Sequence, residues 1–66
     1  MKTYVEFRTS NPDTGKPSST VVVKIDRIAV LEIPKVGAPK ILVDGEWIKI
    51  YPEDANRVKE EIGIQS

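Results

Sequence analysis

Residues 40–51 read KILVDGEWIKIY, and this stretch decides the fold. The dipeptide Asp44-Gly45 stands between two runs rich in β-branched residues, and Asp-Gly in that position is typical of a two-residue β-hairpin turn. The stretch therefore predicts a short strand over residues 40–43, a tight turn, and a second strand over residues 46–51.

Upstream of this hairpin the pattern predicts three further strands. Residues 3–8 alternate between inward and outward side chains, which indicates a strand with one buried face. Residues 10–18 contain two prolines and a glycine and are predicted to form a loop, as are residues 34–39. Strands are predicted over residues 19–25 and 29–33. Residues 26–28 form a corner between them, or else the whole segment is one long strand with a bulge; the pattern favours the corner.

Downstream, an amphipathic helix is predicted over residues 52–62. Pro52 suits the first helical position, and two acidic residues follow it where the helix dipole favours negative charge. Gly63 is expected to close the helix in a left-handed conformation. One narrow apolar stripe faces the sheet, formed by Ala55, Val58 and Ile62.

The apolar residues include eight Val and eight Ile but two Leu, a composition that favours pleated sheet over helix. The sequence therefore predicts an α+β, mostly β fold: a small antiparallel sheet or partly open barrel of about five strands with one C-terminal helix. A chain of 66 residues has room for one core, so a single domain over residues 1–66 is expected.

Several strands are apolar on both faces, because residues 21–23, 28–31 and 41–43 are consecutive apolar residues. One short helix covers only one face of a sheet. The other face is expected to be covered either by closure of the sheet into a barrel or by another chain, and a homodimer through sheet faces or edges is the preferred interpretation. Without Cys or His, disulfides and thiolate or imidazole metal sites are excluded as other sources of stability.

The same absences argue against catalysis, because nucleophilic triads usually need His as the base. The sequence predicts no enzyme, no catalytic residue, no cofactor and no metal. Ten basic and ten acidic side chains balance, which disfavours a salt-driven grip on nucleic acid or lipid. No apolar run approaches the ~20 residues that cross a bilayer, so a soluble, cytoplasmic protein is expected.

One strand face suggests a binding surface. Trp47, Lys49 and Tyr51 share one face of the predicted last strand, and Tyr4 and Arg8 could extend it. On such a face, the aromatic rings stack on nucleic-acid bases while the lysine contacts a phosphate group. Alternatively, the aromatic rings pack under the helix or across a dimer interface, or they recognise a protein ligand. The leading hypothesis is a non-catalytic interaction module that assembles with itself or with a protein partner. The alternative is a small nucleic-acid-binding protein.

Overall fold

The computed structural model describes residues 3–63 of the chain. It contains five strands, one 3₁₀ turn and one α-helix. In chain order these are β1 (Tyr4–Ser10), β2 (Pro17–Lys24), the 3₁₀ turn (Ile25–Arg27), β3 (Ile28–Glu32), β4 (Lys40–Val43), β5 (Glu46–Lys49) and α1 (Pro52–Gly63).

The strands form two antiparallel sheets, β1-β2 and β3-β4-β5. A bridge between Thr9 and Ile50 joins them, so that β1 follows β5 and the spatial order is β2-β1-β5-β4-β3. The sheets do not close into a barrel, because β2 and β3 are not hydrogen-bonded to each other. The predicted fold class, mostly β with a C-terminal helix and partly open, is confirmed.

The first hairpin is a long antiparallel ladder. Val5 lies opposite Val23 and Phe7 opposite Val21, with an irregularity near the loop. In the loop, the Asn11 side chain accepts a hydrogen bond from the Asp13 N–H at 2.9 Å. This local bond makes the turn that the Pro- and Gly-rich stretch predicts.

The corner between the second and third strands is confirmed, because residues 25–27 form a single 3₁₀ turn. Strand β3 begins at Ile28, one residue earlier than predicted. The alternative of one continuous bent strand is wrong.

The second hairpin has the predicted turn, with positive φ at both Asp44 (49°) and Gly45 (83°). Two positive φ values define the type I′ turn, whose twist matches the flanking strands. The predicted strand over residues 46–51 is too long, since β5 ends at Lys49. The Ile50 N–H still donates to the Pro39 carbonyl at 2.9 Å, but Ile50 also bridges to Thr9 of β1, and the Tyr51 N–H donates to the Arg8 carbonyl at 2.8 Å.

Helix α1 packs its apolar stripe onto the core, with Ala55 and Val58 buried and Ile62 half-buried. The expectation of a left-handed cap at Gly63 is wrong, because Gly63 lies within the helix and its φ is not positive. The core between the sheets and the helix consists of Val5, Phe7, Val23, Ile41, Ile50, Ala55 and Val58.

Candidate interaction surface

The outer face of the β3-β4-β5 sheet carries a continuous row of apolar side chains. Val30 lies opposite Leu42, and Leu42 lies opposite Trp47. Adjacent residues Ile41 and Ile48 turn towards the core, so the row faces the other way. Val30 is 43% exposed and Trp47 48% exposed. We call Val30, Leu42 and Trp47 the apolar row.

A charged row lies beside the apolar row, formed by Glu32, Lys40 and Lys49 in the same cross-strand order. The Lys40 ammonium lies 3.8 Å from a Glu32 carboxylate oxygen and 4.5 Å from the centroid of the Trp47 ring. Lysine is attracted electrostatically to the face of an indole. Lys40 therefore contacts a member of each row: its ammonium group pairs with Glu32 and lies over one face of the Trp47 ring.

Trp47 is absent from the core, so the expectation that it packs under the helix is wrong. The reason is the hairpin register. A two-residue turn at Asp44-Gly45 places Trp47 opposite Leu42 on the outer face, while Ile48 points inward. Interface packing and ligand recognition are the remaining predictions for Trp47.

Arg8 and Tyr51 lie together at the start of α1. The Arg8 guanidinium makes a bidentate ion pair with Asp54, in which Nε donates to Oδ2 at 3.0 Å and the terminal nitrogen donates to Oδ1 at 2.8 Å. The backbone N–H of Arg8 also donates to Asp54, at 2.8 Å, and the guanidinium lies 4.8 Å from the Tyr51 ring centroid. This cluster joins β1 to α1.

The electrostatics of this cluster are those of a bonded ion pair. The hydrogen bond from the Arg8 side chain, supported by one from its backbone, lowers the pKa of Asp54 from 3.8 to about 2. Asp54 is the buried charged side chain of the part of the chain that the structure describes, and its acceptors are occupied by Arg8. The charge of Asp54 is thus compensated within the fold, by Arg8.

Tyr4 stands at a third place. It is 56% exposed on the outer face of β1, opposite Lys24 and two residues from Glu6, which lies opposite Val22. Among the five candidate residues, Arg8 contacts Tyr51, Trp47 and Lys49 lie on the same face of β5, and Tyr4 borders a depression with Glu6, Val22 and Arg57.

Sequence reasoning missed Val30, Leu42 and Lys40 as members of the surface. The Asp-Gly turn contains the signal for two of them, because a two-residue hairpin fixes which residues of its strands are opposite. Counting back from the turn pairs Leu42 with Trp47 and Lys40 with Lys49. Val30 has no such signal, since a register irregularity separates it from Ile28 and a long loop precedes β4.

Metal sites and membrane spans each place requirements on the described residues. Across residues 3–63, no group of three or more His, Cys, Asp or Glu side chains could hold a metal ion. A surface depression at the corner between β2 and β3 contains an exposed ion pair, Arg27 with Asp44 at 3.4 Å. None of the helices within that same range has the length and apolar character needed to cross a membrane.

No protein-family model matches the chain, and neither a curated protein nor a solved structure is similar to it. The surfaces described above are therefore the basis for any statement about function.

Proposed function

We propose that this chain is a small non-catalytic interaction module that self-associates through its β-sheets. The observation that carries the proposal is the apolar row, in which Val30, Leu42 and Trp47 follow one another across three strands and remain partly exposed. Apolar side chains aligned on one face are typical of protein interaction sites.

The energetics favour burial of this row. A half-exposed valine or leucine contributes about 1 kcal/mol when the rest of its apolar surface is removed from water, and a tryptophan somewhat more. The charged row beside it supplies a polar rim, which is the usual arrangement around an apolar interface centre. A second copy presents the same apolar surface, so identical chains can serve as each other's partner.

Two observations support the non-catalytic part of the proposal. Asp54 has a strongly lowered pKa, yet its partners are Arg8 and the β1 backbone, which makes it a structural carboxylate. The ion pair in the depression at the β2–β3 corner is exposed on both sides. A general acid or base instead needs a pKa near the working pH and access to a substrate.

Light scattering behind a sizing column tests self-association. Over concentrations from about 1 µM to about 1 mM, we expect the weight-average mass to rise above the 7.4 kDa of one chain. A mass of 7.4 kDa across that whole range would overturn the proposal.

One arrangement favours nucleic-acid binding as the alternative function: Trp47 has lysines Lys40 and Lys49 beside it on the same sheet face. Single-strand binding uses such stacking rings with nearby cations. If this alternative holds, oligonucleotide quenches the single tryptophan at low salt, and about 0.3 M salt reverses the quenching. Unchanged fluorescence at low salt excludes it.

A further inference from the structure

Strand β2 has one paired edge and one open edge. The Ile25 N–H donates to the Thr3 carbonyl at 2.9 Å, and the Ser19 N–H and carbonyl both bond the Thr9 hydroxyl. Odd-numbered residues of β2 therefore direct their backbone groups at β1. Because direction alternates along an antiparallel strand, the backbone N–H and carbonyl groups of Thr20, Val22 and Lys24 point away from it.

The corresponding edge of β1 is closed. There the Arg8 N–H donates to Asp54 and the Arg8 carbonyl accepts from Tyr51. The Glu6 carbonyl accepts from the Arg57 guanidinium. The fold thus uses α1 and the chain before it to satisfy one sheet edge, while within residues 3–63 the strand pairing of β2 is with β1 alone.

An edge whose backbone groups at Thr20, Val22 and Lys24 have no strand partner within residues 3–63 is a template for another strand. Its residues suit that use, because Thr20 and Val22 are exposed and β-branched, and Val22 is 59% exposed. Such an edge accepts an extended segment through main-chain hydrogen bonds.

We propose that a second copy of this chain adds at this edge, with the two β2 strands antiparallel across a two-fold axis at Val22. The proposal rests on the self-association proposed above and places the two-fold contact at the β2 edge, apart from the apolar row on the β3-β4-β5 sheet. Thr20, Val22 and Lys24 would each exchange hydrogen bonds with the second copy, which makes about six bonds in all.

The side chains select this register over its neighbours. With the axis at Val22, Val21 lies opposite Val23 of the second copy, so valines meet valines on both faces of the joined sheet. Lys24 then lies opposite Thr20 and meets no like charge. Moving the axis to Val21 or Thr20 sets Val22 opposite Thr20 or Ser18 instead, and the apolar match is lost.

The added strand would also cover side chains of the core that the single chain leaves half-buried. Val21 and Ile25 are half-buried at the gap between β2 and β3, where the sheet stays open. Inward side chains of the second copy would lie over this gap. The doubly apolar character of residues 21–23 is then explained without closure of the barrel.

The test is the Val22→Lys variant, with Val22→Thr as its matched control. In the single chain, the introduced ammonium group would lie opposite Glu6, so the fold is expected to persist. Across the two-fold axis, however, two such groups would meet. We expect the dimer dissociation constant of Val22→Lys to rise about tenfold or more, while Val22→Thr stays within about threefold of the parent. Circular dichroism of dilute samples checks the fold of both.

A second measurement locates the contact directly. In a sample mixed from labelled and unlabelled chains, isotope-filtered NMR should show an Hα–Hα contact between Val21 and Val23 of the other copy. Such contacts arise in pairs whose Cα atoms are about 4.5 Å apart. Trp47→Lys should leave this contact in place.

The outcomes separate the two proposals. A dimer that survives Val22→Lys, or one that dissociates with Trp47→Lys and lacks the Val21–Val23 contact, overturns the edge pairing while leaving self-association intact. A chain that stays monomeric at every concentration overturns both.

Discussion

At the residue scale, Arg8 shows how a candidate binding residue becomes part of the framework. Its side chain and its backbone both bond Asp54, and its guanidinium lies against Tyr51. Bidentate arginine–carboxylate pairs have fixed geometry and are stronger than neutral hydrogen bonds. Arg8 therefore fixes the angle at which α1 begins relative to β1.

The Asp54 carboxylate should make stability depend on pH. Its pKa is about 2 in the folded chain and 3.8 ordinarily, so its contribution is complete above pH 3.8 and is lost as the pH falls through about 2. At pH 7, Asp54→Asn should cost about 2 kcal/mol in urea unfolding. The difference between the variant and the parent should shrink between about pH 4 and pH 2.

Glu53→Gln is the matched control for this carboxylate. Glu53 is 3.9 Å from Arg8 with 74% of its side chain exposed, so its loss should change the free energy of unfolding by about 0.5 kcal/mol or less. Equal effects of the two substitutions would contradict the special role of Asp54.

Trp47 offers a second prediction at this scale. Because nearly half of it is exposed, Trp47→Ala should lower the free energy of unfolding by about 1 kcal/mol, measured at concentrations where the chain is monomeric. Phe7→Ala, by contrast, empties a site that is 1% exposed and should cost about 3–5 kcal/mol. A loss above about 3 kcal/mol for Trp47→Ala would place its ring in the core.

At the scale of elements, the second hairpin and the helix both follow from local sequence. The type I′ turn needs positive φ at two successive residues, and Asp-Gly supplies them at low cost. Pro52 begins α1, and Glu53 and Asp54 occupy its first turn. The register of the hairpin then determines which side chains form the apolar row.

Two glycines give opposite expectations at this scale. Gly45 has φ of 83°, so Gly45→Ala should destabilise the hairpin by about 1–2 kcal/mol. Gly63 is helical with open space at its Cβ position, so Gly63→Ala should be neutral or stabilising by up to about 1 kcal/mol. Thermal unfolding of both variants measures this; destabilisation by Gly63→Ala would contradict the helical assignment.

At the scale of the whole molecule, two small sheets share one core and meet at a single bridge, Thr9 with Ile50. Helix α1 covers β1 and closes its free edge. No strand within residues 3–63 pairs with the outer edge of β2. The first hairpin is thus closed along β1 and open along β2, and β3, at the other end of the strand order, is likewise paired on one side only within those residues.

This asymmetry predicts how stability responds to concentration. If two copies join at β2, unfolding also separates them, so the melting temperature should rise by about 3–5 °C for each tenfold increase in concentration above the dissociation constant. Scanning calorimetry of the parent and of Val22→Lys measures it. A melting temperature of the parent that is independent of concentration would contradict dimerisation.

The sequence by itself determined the parts of this protein that depend on near neighbours. Alternation around Val5 and Phe7 marks a strand, Asp44-Gly45 marks a turn with its register, and Pro52 marks the start of a helix, because each signal acts within a few residues along the chain. The corner at residues 25–27 belongs to the same class.

The tertiary structure alone decided what happens between distant segments. Arg8 meets Asp54 from 46 residues away, and the segment after β5 joins β1 through a bridge from Ile50 to Thr9 and a hydrogen bond from Tyr51 to Arg8. The same packing left the outer edge of β2 without a strand partner within residues 3–63. The physical reason is that residue type and spacing specify which groups need burial or a hydrogen bond, whereas only the packed chain specifies which group supplies it.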